Sequence, residues 1–256
     1  MNKTIKNNAQ REHYISIHDN YNQHYFDSTA MQYRDRFIFD SMFLNLNLNN
    51  KDVADLASGG GGNSLALLKR FPNAKMTGFD ISPKACAAYM NNVKRPAFEV
   101  DLSQKNIEMA GAFDAAILIG GLHHCVNDLE TTIINISNIL KPGGAFLFCE
   151  PNKKYFLEYI RKAWYKFDRY FQADTEEALD YEELLNMSTG LFDPLSVHYF
   201  GGPAYFLILN SLISRIPLAA KSKILSPLMY IEQVYETLPW RFCYPAFIAQ
   251  WRKLGT

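Results

Sequence analysis

The chain offers little to a cross-linked or metal-built fold. Its 256 residues include only four cysteines, Cys86, Cys125, Cys149 and Cys243, and no C-x-x-C pair. Each sits in an apolar or strand-like stretch, which suits buried free thiols in a reducing compartment better than disulfides or a zinc site. No metal is expected. Charge is also sparse, at 20% of residues, and neither sign prevails: 26 basic side chains balance 26 acidic ones. A protein that tracks a phosphate backbone usually carries a basic excess or stripe, so nucleic acid is a poor candidate partner. Long hydrophobic runs are missing too. The most apolar stretch, near 204–213, is too short to span a bilayer. The opening MNKTIKNNAQREHY lacks the apolar core of a signal peptide. These absences lead to the expectation of a cytoplasmic protein with no transmembrane segment. No internal repeat and no low-complexity linker occurs.

What is present is enough apolar material, 48% of residues, for a sizeable core. The length suits one α/β domain carrying an insertion. Residues 1–12 are polar and have almost nothing to bury. From 13 to 48 the pattern turns helical, with Phe37, Ile38, Met42 and Phe43 on one face. Strand–helix alternation follows: strands at 53–57, 76–80, 97–100, 113–119 and 145–150, and helices at 63–70, 83–92 and 129–140. The 113–119 segment FDAAILI is apolar throughout, as a strand covered on both faces requires. Lys141-Pro-Gly-Gly144 is expected to end the third of these helices, since Pro stops a helix and Gly supplies the turn. A long helix is expected over 152–171, with its basic side chains as a solvated face balanced by the acids that follow. A sixth strand at 195–200, two amphipathic helices at 204–215 and 221–238, and a last strand at 242–250 complete the pattern. Such alternation implies a parallel sheet with helices on both faces.

In an open sheet of this kind the ligand lies at the carboxyl ends of the strands, near the reversal of strand order. After the first strand the chain reads Asp55-Leu-Ala-Ser-Gly59-Gly-Gly61-Gly-Asn63. Glycines let the backbone approach a ligand where a Cβ would clash, and the helix that follows offers unpaired N–H groups. The turn alone does not choose a ligand. Ala57, Gly59 and Gly62 fall on a degenerate G-x-G-x-x-G spacing, with Asp80 about twenty residues on, which also fits a dinucleotide. The acids decide. Asp55 precedes the glycines where a carboxylate can meet a cationic ligand, Asp80 ends TGFD where it can accept from a ribose diol, and Asp101 ends FEVD where it can accept from an adenine amino group. Three acidic strand ends, with no basic residue near the glycines, suit a sulfonium and an ammonium better than a diphosphate.

The set DLASGGG, TGFDIS, EVDLS, FDAAILIGGLHH and LKPGG, over 53–150, resembles class I S-adenosylmethionine-dependent methyltransferases, most of all the bacterial small-molecule group. The resemblance implies a Rossmann-like seven-stranded sheet with its last strand antiparallel. It implies that Asp55, Ala57, Ser58, Gly59 and Gly61 line the methionine moiety of S-adenosylmethionine. Asp80 and Ile81 would hold the ribose, Asp101 and Leu102 the adenine, and Gly120 the far wall. Ala57 departs from the family's usual first glycine. Residues 1–48 would form an N-terminal helical lid in which Tyr25 and Arg34 reach the cofactor, unless its aromatics merely cover the sheet. Residues 49–256 would form the catalytic domain, with a helical insertion at about 203–239.

Methyl transfer to a hydroxyl benefits from a base, and imidazole titrates near working pH. His124 and His123 follow the fourth strand and Glu150 ends the fifth, so these are the candidate catalytic residues. The expected reaction is O-methylation of a small-molecule or natural-product acceptor, with carbon and nitrogen ranked behind oxygen. The Asn/Asp-Pro-Pro-aromatic segment of amino-methylating DNA enzymes is absent. An NAD(P)-dependent oxidoreductase is the first rival, weakened by the lack of a Tyr-x-x-x-Lys constellation; a non-catalytic scaffold of the same fold is the second. The apolar insertion has three candidate uses, in order: capping an acceptor cavity, forming a homodimer contact, or touching a membrane.

Overall fold

The computed structural model describes residues 23–104, 110–165 and 177–255. The polar segment 1–12, Tyr14 and Tyr21, and the stretch 166–176 with Phe167, Phe171 and part of the acidic run lie outside the described residues.

The inner strands of the sheet form from segments whose apolar runs leave them no solvent face, while the two edge strands keep exposed residues. Strands β1 (Asp52–Leu56), β2 (Lys75–Asp80), β3 (Ala97–Glu99), β4 (Phe113–Ile119), β5 (Leu140–Pro151), β6 (Phe192–Phe200) and β7 (Ala246–Lys253) make one seven-stranded sheet in the order β3-β2-β1-β4-β5-β7-β6. Pairings among β1 to β5 are parallel, whereas β7 runs antiparallel to both β5 and β6. The centre is driest: Ala116, Ile117 and Leu118 of β4 and Phe146, Leu147 and Phe148 of β5 have no exposed surface. Both faces are covered, as a parallel sheet requires. On one face Val53, Ile117, Leu147 and Ile248 pack with Tyr33, Phe37, Leu67, Ile208 and Leu225. On the other, Ala54, Ala116, Phe148 and Trp251 pack with Ile133, Ile136 and Leu184.

Helix α1 (Ser28–Tyr33) starts at Asp27, whose carboxylate accepts from the Ala30 N–H, and runs on through a π-helical stretch (Arg34–Phe39) to a last α-turn (Asp40–Met42). Helices α2 (Gly62–Arg70), α3 (Pro83–Val93) and α4 (Leu129–Ile139) are the crossovers of the parallel sheet. Gly61 caps α2 at φ +85°, a conformation costly to any residue with a Cβ. Ser82 caps α3, with Pro83 next, the residue whose missing N–H would have been unsatisfied anyway. Helices α5 (Glu158–Tyr165), α6 (Tyr181–Met187) and α7 (Leu218–Tyr235) belong to the second half.

Four expectations are corrected. Lys141–Gly144 does not precede β5 but lies within it as a bulge: Leu140 pairs with Phe113, and the next pair is Ala145 with Ala115. Lys141 holds the bulge down by ion pairs to Asp52 and Asp114. The helix expected from residue 152 begins only at Glu158, because the Asn152 side chain accepts from Lys154 N–H and donates to the Tyr244 carbonyl, tying that stretch into a turn. The insertion's first helix shrinks to a π-helical segment, Tyr205–Leu209, and the last strand begins at Ala246, after a 3-10 turn over Arg241–Cys243.

Candidate cofactor site

Strand order reverses between β1 and β4, and a cleft opens there at their carboxyl ends. Its walls come from the turn after β1, the ends of β2 and β3, the loop after β4, and residues of the N-terminal helix. Of the residues picked out in the sequence, Ala57, Ser58, Gly59, Asp80, Ile81, Asp101, Leu102, Gly120, Arg34 and His124 line this cleft. Tyr25, Asp55, Gly61, His123 and Glu150 do not, and each has another place.

The wall formed by β1 and β2 is a set of backbone donors held by carboxylates. Asp80 Oδ2 accepts from Gly59 N–H at 2.8 Å, and Oδ1 accepts from Ser82 N–H at 2.8 Å. Asp101 accepts from Ser103 N–H and hydroxyl at 2.9 and 2.6 Å. The side chains are thus oriented before any ligand arrives. Gly59 and Gly120 both have positive φ, and no atom lies within 4 Å of where their Cβ would stand. The Ser58 hydroxyl is buried without a hydrogen-bond partner in the protein. Buried polar groups are normally satisfied, so this one points to a ligand.

Behind the wall lies Asp55, 2% exposed. It accepts from Ser64 Oγ at 2.5 Å, and Ser64 also shares a hydrogen bond with the Tyr89 hydroxyl. Burial pushes the Asp55 carboxyl up to about 7; the Ser64 hydrogen bond opposes the rise and the Asp80 charge adds to it. Gly61 is also second in line, with the Tyr89 ring and Val93 against it.

On the opposite side, Arg34 is 5% exposed. Its Nη1 donates to Asn63 Oδ1 at 3.1 Å, its Nε donates to the Tyr25 carbonyl at 3.2 Å, and its guanidinium stacks over the Phe26 ring at 4.8 Å. Phe26 and Asn63 line the cleft with it. Tyr25 itself turns away from the cleft and packs against the core, its hydroxyl donating to Asn210.

The loop after β4 is built on Glu150. This carboxylate is 1% exposed and accepts from the N–H groups of Gly121, Leu122 and His123 at 3.0, 2.7 and 3.2 Å. His123 Nδ1 stands 2.7 Å from its Oε2. Burial raises the Glu150 carboxyl to about 8, against the pull of the three N–H groups. The His123 and His124 rings lie 3.9 Å apart, and His124 is the one that reaches the cleft. Cys125 also lines it, but burial pushes its thiol up to about 12, so it is no nucleophile near neutral pH.

Sequence reasoning missed Phe26, Asn63, Lys84, Asn127 and Asp128 among the lining residues. Asn63 and Asp128 carried a signal, being at helix starts that open onto strand ends. Phe26 carried none. Among the described residues no group of three or more His, Cys, Asp or Glu could hold a metal ion, and no helix is long and apolar enough to cross a membrane. All four cysteines are free thiols.

The sheet order, the antiparallel last strand and the cleft define the class: this is the fold of class I S-adenosylmethionine-dependent methyltransferases. Residues 53–144 match a family model described as a methyltransferase domain. Over those residues the chain is similar to a methyltransferase domain, and S-adenosylmethionine is the cofactor such domains use. Solved structures agree in fold. An S-adenosylmethionine-dependent methyltransferase from Mesorhizobium loti is 16% identical, over 83% of this chain and 94% of its own, with a TM-score of 0.54. The N-methyltransferase NodS from Bradyrhizobium japonicum, in complex with S-adenosylhomocysteine, is 12% identical over 92% and 97%, with a TM-score of 0.51. The [4+2]-cyclase SpnF is 18% identical over 89% and 82%, with a TM-score of 0.59. No curated protein matches the chain in sequence.

The residues present fit that cofactor: an orphaned hydroxyl, two bare glycine faces, fixed carboxylates at the ends of β2 and β3, and a guanidinium at the far side.

Proposed function

We propose that the chain methylates the oxygen of a small-molecule acceptor, with His124 as the base and Glu150 and His123 as the residues that position it. The observation that carries this reading is the buried Glu150, which gathers three consecutive N–H groups and His123 Nδ1 and so fixes the loop that aims His124 into the cleft. An acceptor hydroxyl needs its proton removed, and general-base assistance contributes typically 10²–10⁴-fold. Glu150 is not itself the base, because it is buried beneath the loop and does not reach the cleft. NodS is described as an N-methyltransferase and SpnF as a cyclase, so the fold alone does not choose the reaction.

When bound, the cofactor supplies a methyl group activated by its sulfonium. The chain does the rest. Asp80 and Ile81 lie where a ribose would be held, Asp101 and Leu102 where an adenine would, and Ala57, Ser58 and Gly59 beside the methionine part. Arg34 is the cation that would meet its carboxylate, within the lid expected over 1–48, of which 23–48 lie among the described residues. The domain proper is 49–256, with an insertion at 203–239, and its place is the cytoplasm, in keeping with the free thiols. Positioning and exclusion of water are the main demands on the protein, worth about 7–11 kcal/mol where geometry is good.

Two measurements test the reading. Calorimetry should show S-adenosylhomocysteine binding and no NADH binding; the reverse result would make the chain a dinucleotide enzyme. With labelled S-adenosylmethionine and a panel of hydroxylated metabolites, His124→Ala should lower turnover by about 10²-fold or more while leaving S-adenosylhomocysteine affinity within about threefold. Equal turnover would reduce His124 to a packing residue.

A further inference from the structure

The insertion was expected to cap an acceptor cavity, yet none of its residues lines the cleft. It packs instead on the N-terminal helix, and the contact is polar as well as apolar. Lys221 of α7 has no exposed surface, a position that lysine rarely takes unless paired. Its Nζ donates to the His24 carbonyl at 2.8 Å and pairs with Asp27 Oδ1 at 2.9 Å. That same Asp27 oxygen accepts from Ala30 N–H and so starts helix α1. Three turns further along α7, Glu232 is also fully buried. It accepts from the Tyr33 hydroxyl at 2.6 Å and from Gly202 and Ala204 N–H at 2.8 Å each. Just past the π-helical segment, Ser211 hydrogen-bonds His24 and Asn210 accepts from the Tyr25 hydroxyl.

The clamped segment bears the two residues that the N-terminal region sends into the cleft. Phe26 lies between the Lys221 contacts at His24 and Asp27, and its ring covers Gly62 so closely that a Cβ there would fall 2.2 Å from it. Arg34 follows directly after Tyr33. Burying two opposite charges, one near each end of α7, is expensive unless each is matched in place. Here Lys221 is matched by Asp27 and Glu232 in part by Tyr33, both on the segment that carries Phe26 and Arg34, with the Gly202 and Ala204 N–H groups completing the Glu232 site, so displacing the segment would strip both buried groups of a partner.

We propose that Lys221 and Glu232 are positioning residues of the cofactor cleft: the insertion is a clamp that fixes Phe26 and Arg34 against the glycine turn, and it sets cofactor affinity without touching cofactor. The inference rests on the cofactor reading given above. It assigns the insertion to cofactor retention and leaves the acceptor to the cleft residues after β4.

The test compares the full-length protein with Lys221→Met, Lys221→Arg, Tyr33→Phe and Tyr230→Ser, the last an exposed position on the same helix. Calorimetry with S-adenosylhomocysteine and hydrogen exchange are read together. Lys221→Met should raise the dissociation constant about tenfold or more and speed exchange across 24–34, while β4 and β7 exchange as before. Lys221→Arg should restore most of both, and Tyr230→Ser should change neither. Tyr33→Phe removes one hydroxyl from the second clamp and should raise the constant about threefold, which keeps the test open even if Lys221→Met unfolds. Unchanged affinity in Lys221→Met or in Tyr33→Phe, despite faster exchange at 24–34, would overturn the clamp while sparing the cofactor reading. No binding by the unaltered protein would overturn that reading and the inference with it.

Discussion

The two sides of the cleft are built in different ways. The side made by β1, β2 and β3 is assembled from shorter-range parts: Asp80 holds Ser82 two residues on, Asp101 holds Ser103, and longer bonds such as Asp80–Gly59 and Asn92–Gly60 span 21 and 32 residues. The side that carries Phe26 and Arg34 depends on contacts between residues nearly 200 positions apart, as in Tyr33 with Glu232 and Lys221 with Asp27. The first kind of wall forms as soon as its strands pair. The second exists only when the whole chain has closed, and loop closure over such distances carries an entropic cost that local turns avoid. On the proposed reading, a cofactor would be gripped by a locally built shelf and by a cover that needs the whole chain.

If the local side is a rigid, preformed shelf, it should hold electrostatic cost that substitution can release. Asp55 is the clearest case. Its folded-state carboxyl, raised by burial to about 7, exceeds the ordinary 3.8. The folded protein therefore holds a proton that the unfolded chain releases, and the unfolding free energy falls as pH rises between those values. Asp55→Asn removes this dependence. Relative to the unaltered protein, the variant's stability should rise by up to about 4 kcal/mol between pH 4 and pH 8, read by urea denaturation at each pH. A difference that stays flat over that range would mean the carboxyl ionises normally and the shelf stores nothing.

Asp80→Ala comes next. It deletes the acceptor proposed for a ribose diol and also frees the Gly59 and Ser82 N–H groups. S-adenosylhomocysteine affinity should fall by about 2–3 kcal/mol, a loss readable by calorimetry. A change under threefold would place the ribose elsewhere and leave Asp80 as a loop strut.

The contrast between the two sides also explains what is legible in the sequence. The strands and the crossovers α2 to α4 can be read because their apolar runs and caps are local, and the glycine turn, Asp80 and Asp101 lie where strand ends put them, whereas Asp55 of β1 is buried behind that wall. Tyr25 and Arg34 share one helical pattern in the sequence, yet the fold separates them: Arg34 enters the cleft and Tyr25 is drawn away by Asn210. Nothing near residue 25 reports the presence of residue 210. The place of Glu150 at a strand end suggests a base, and only the three N–H groups converging on it show a buried anchor. Lys221 and Glu232 look like surface charges of an amphipathic helix, since periodicity cannot show which helix face will be covered.

The link between the two sides is the Arg34–Asn63 hydrogen bond, since Asn63 opens α2 on the local side and Arg34 belongs to the cover. A double-mutant cycle with Arg34→Met and Asn63→Ala should give a coupling of about 1–1.5 kcal/mol in S-adenosylhomocysteine binding. Additive losses would mean that shelf and cover grip the ligand independently.

The smallest expected effect is at Ala57, where the local side departs from the glycine usual at that place. Its φ of +51° lies in the left-handed region, which costs a residue with a Cβ about 1–2 kcal/mol. Two effects oppose a simple gain from glycine. The unfolded chain would become more flexible, and the Ala57 methyl fills space beside Gly121, where an added Cβ would come within 2.6 Å of it. Relief of the backbone strain outweighs both, because the methyl meets a bare backbone and loses few contacts when removed. Ala57→Gly should therefore stabilise the protein by about 0.5–1 kcal/mol in denaturant unfolding, with no loss of S-adenosylhomocysteine affinity. If stability falls instead, the methyl is a packing element that braces the turn after β1 against the loop carrying His124, and the shelf itself extends across the cleft to the catalytic side.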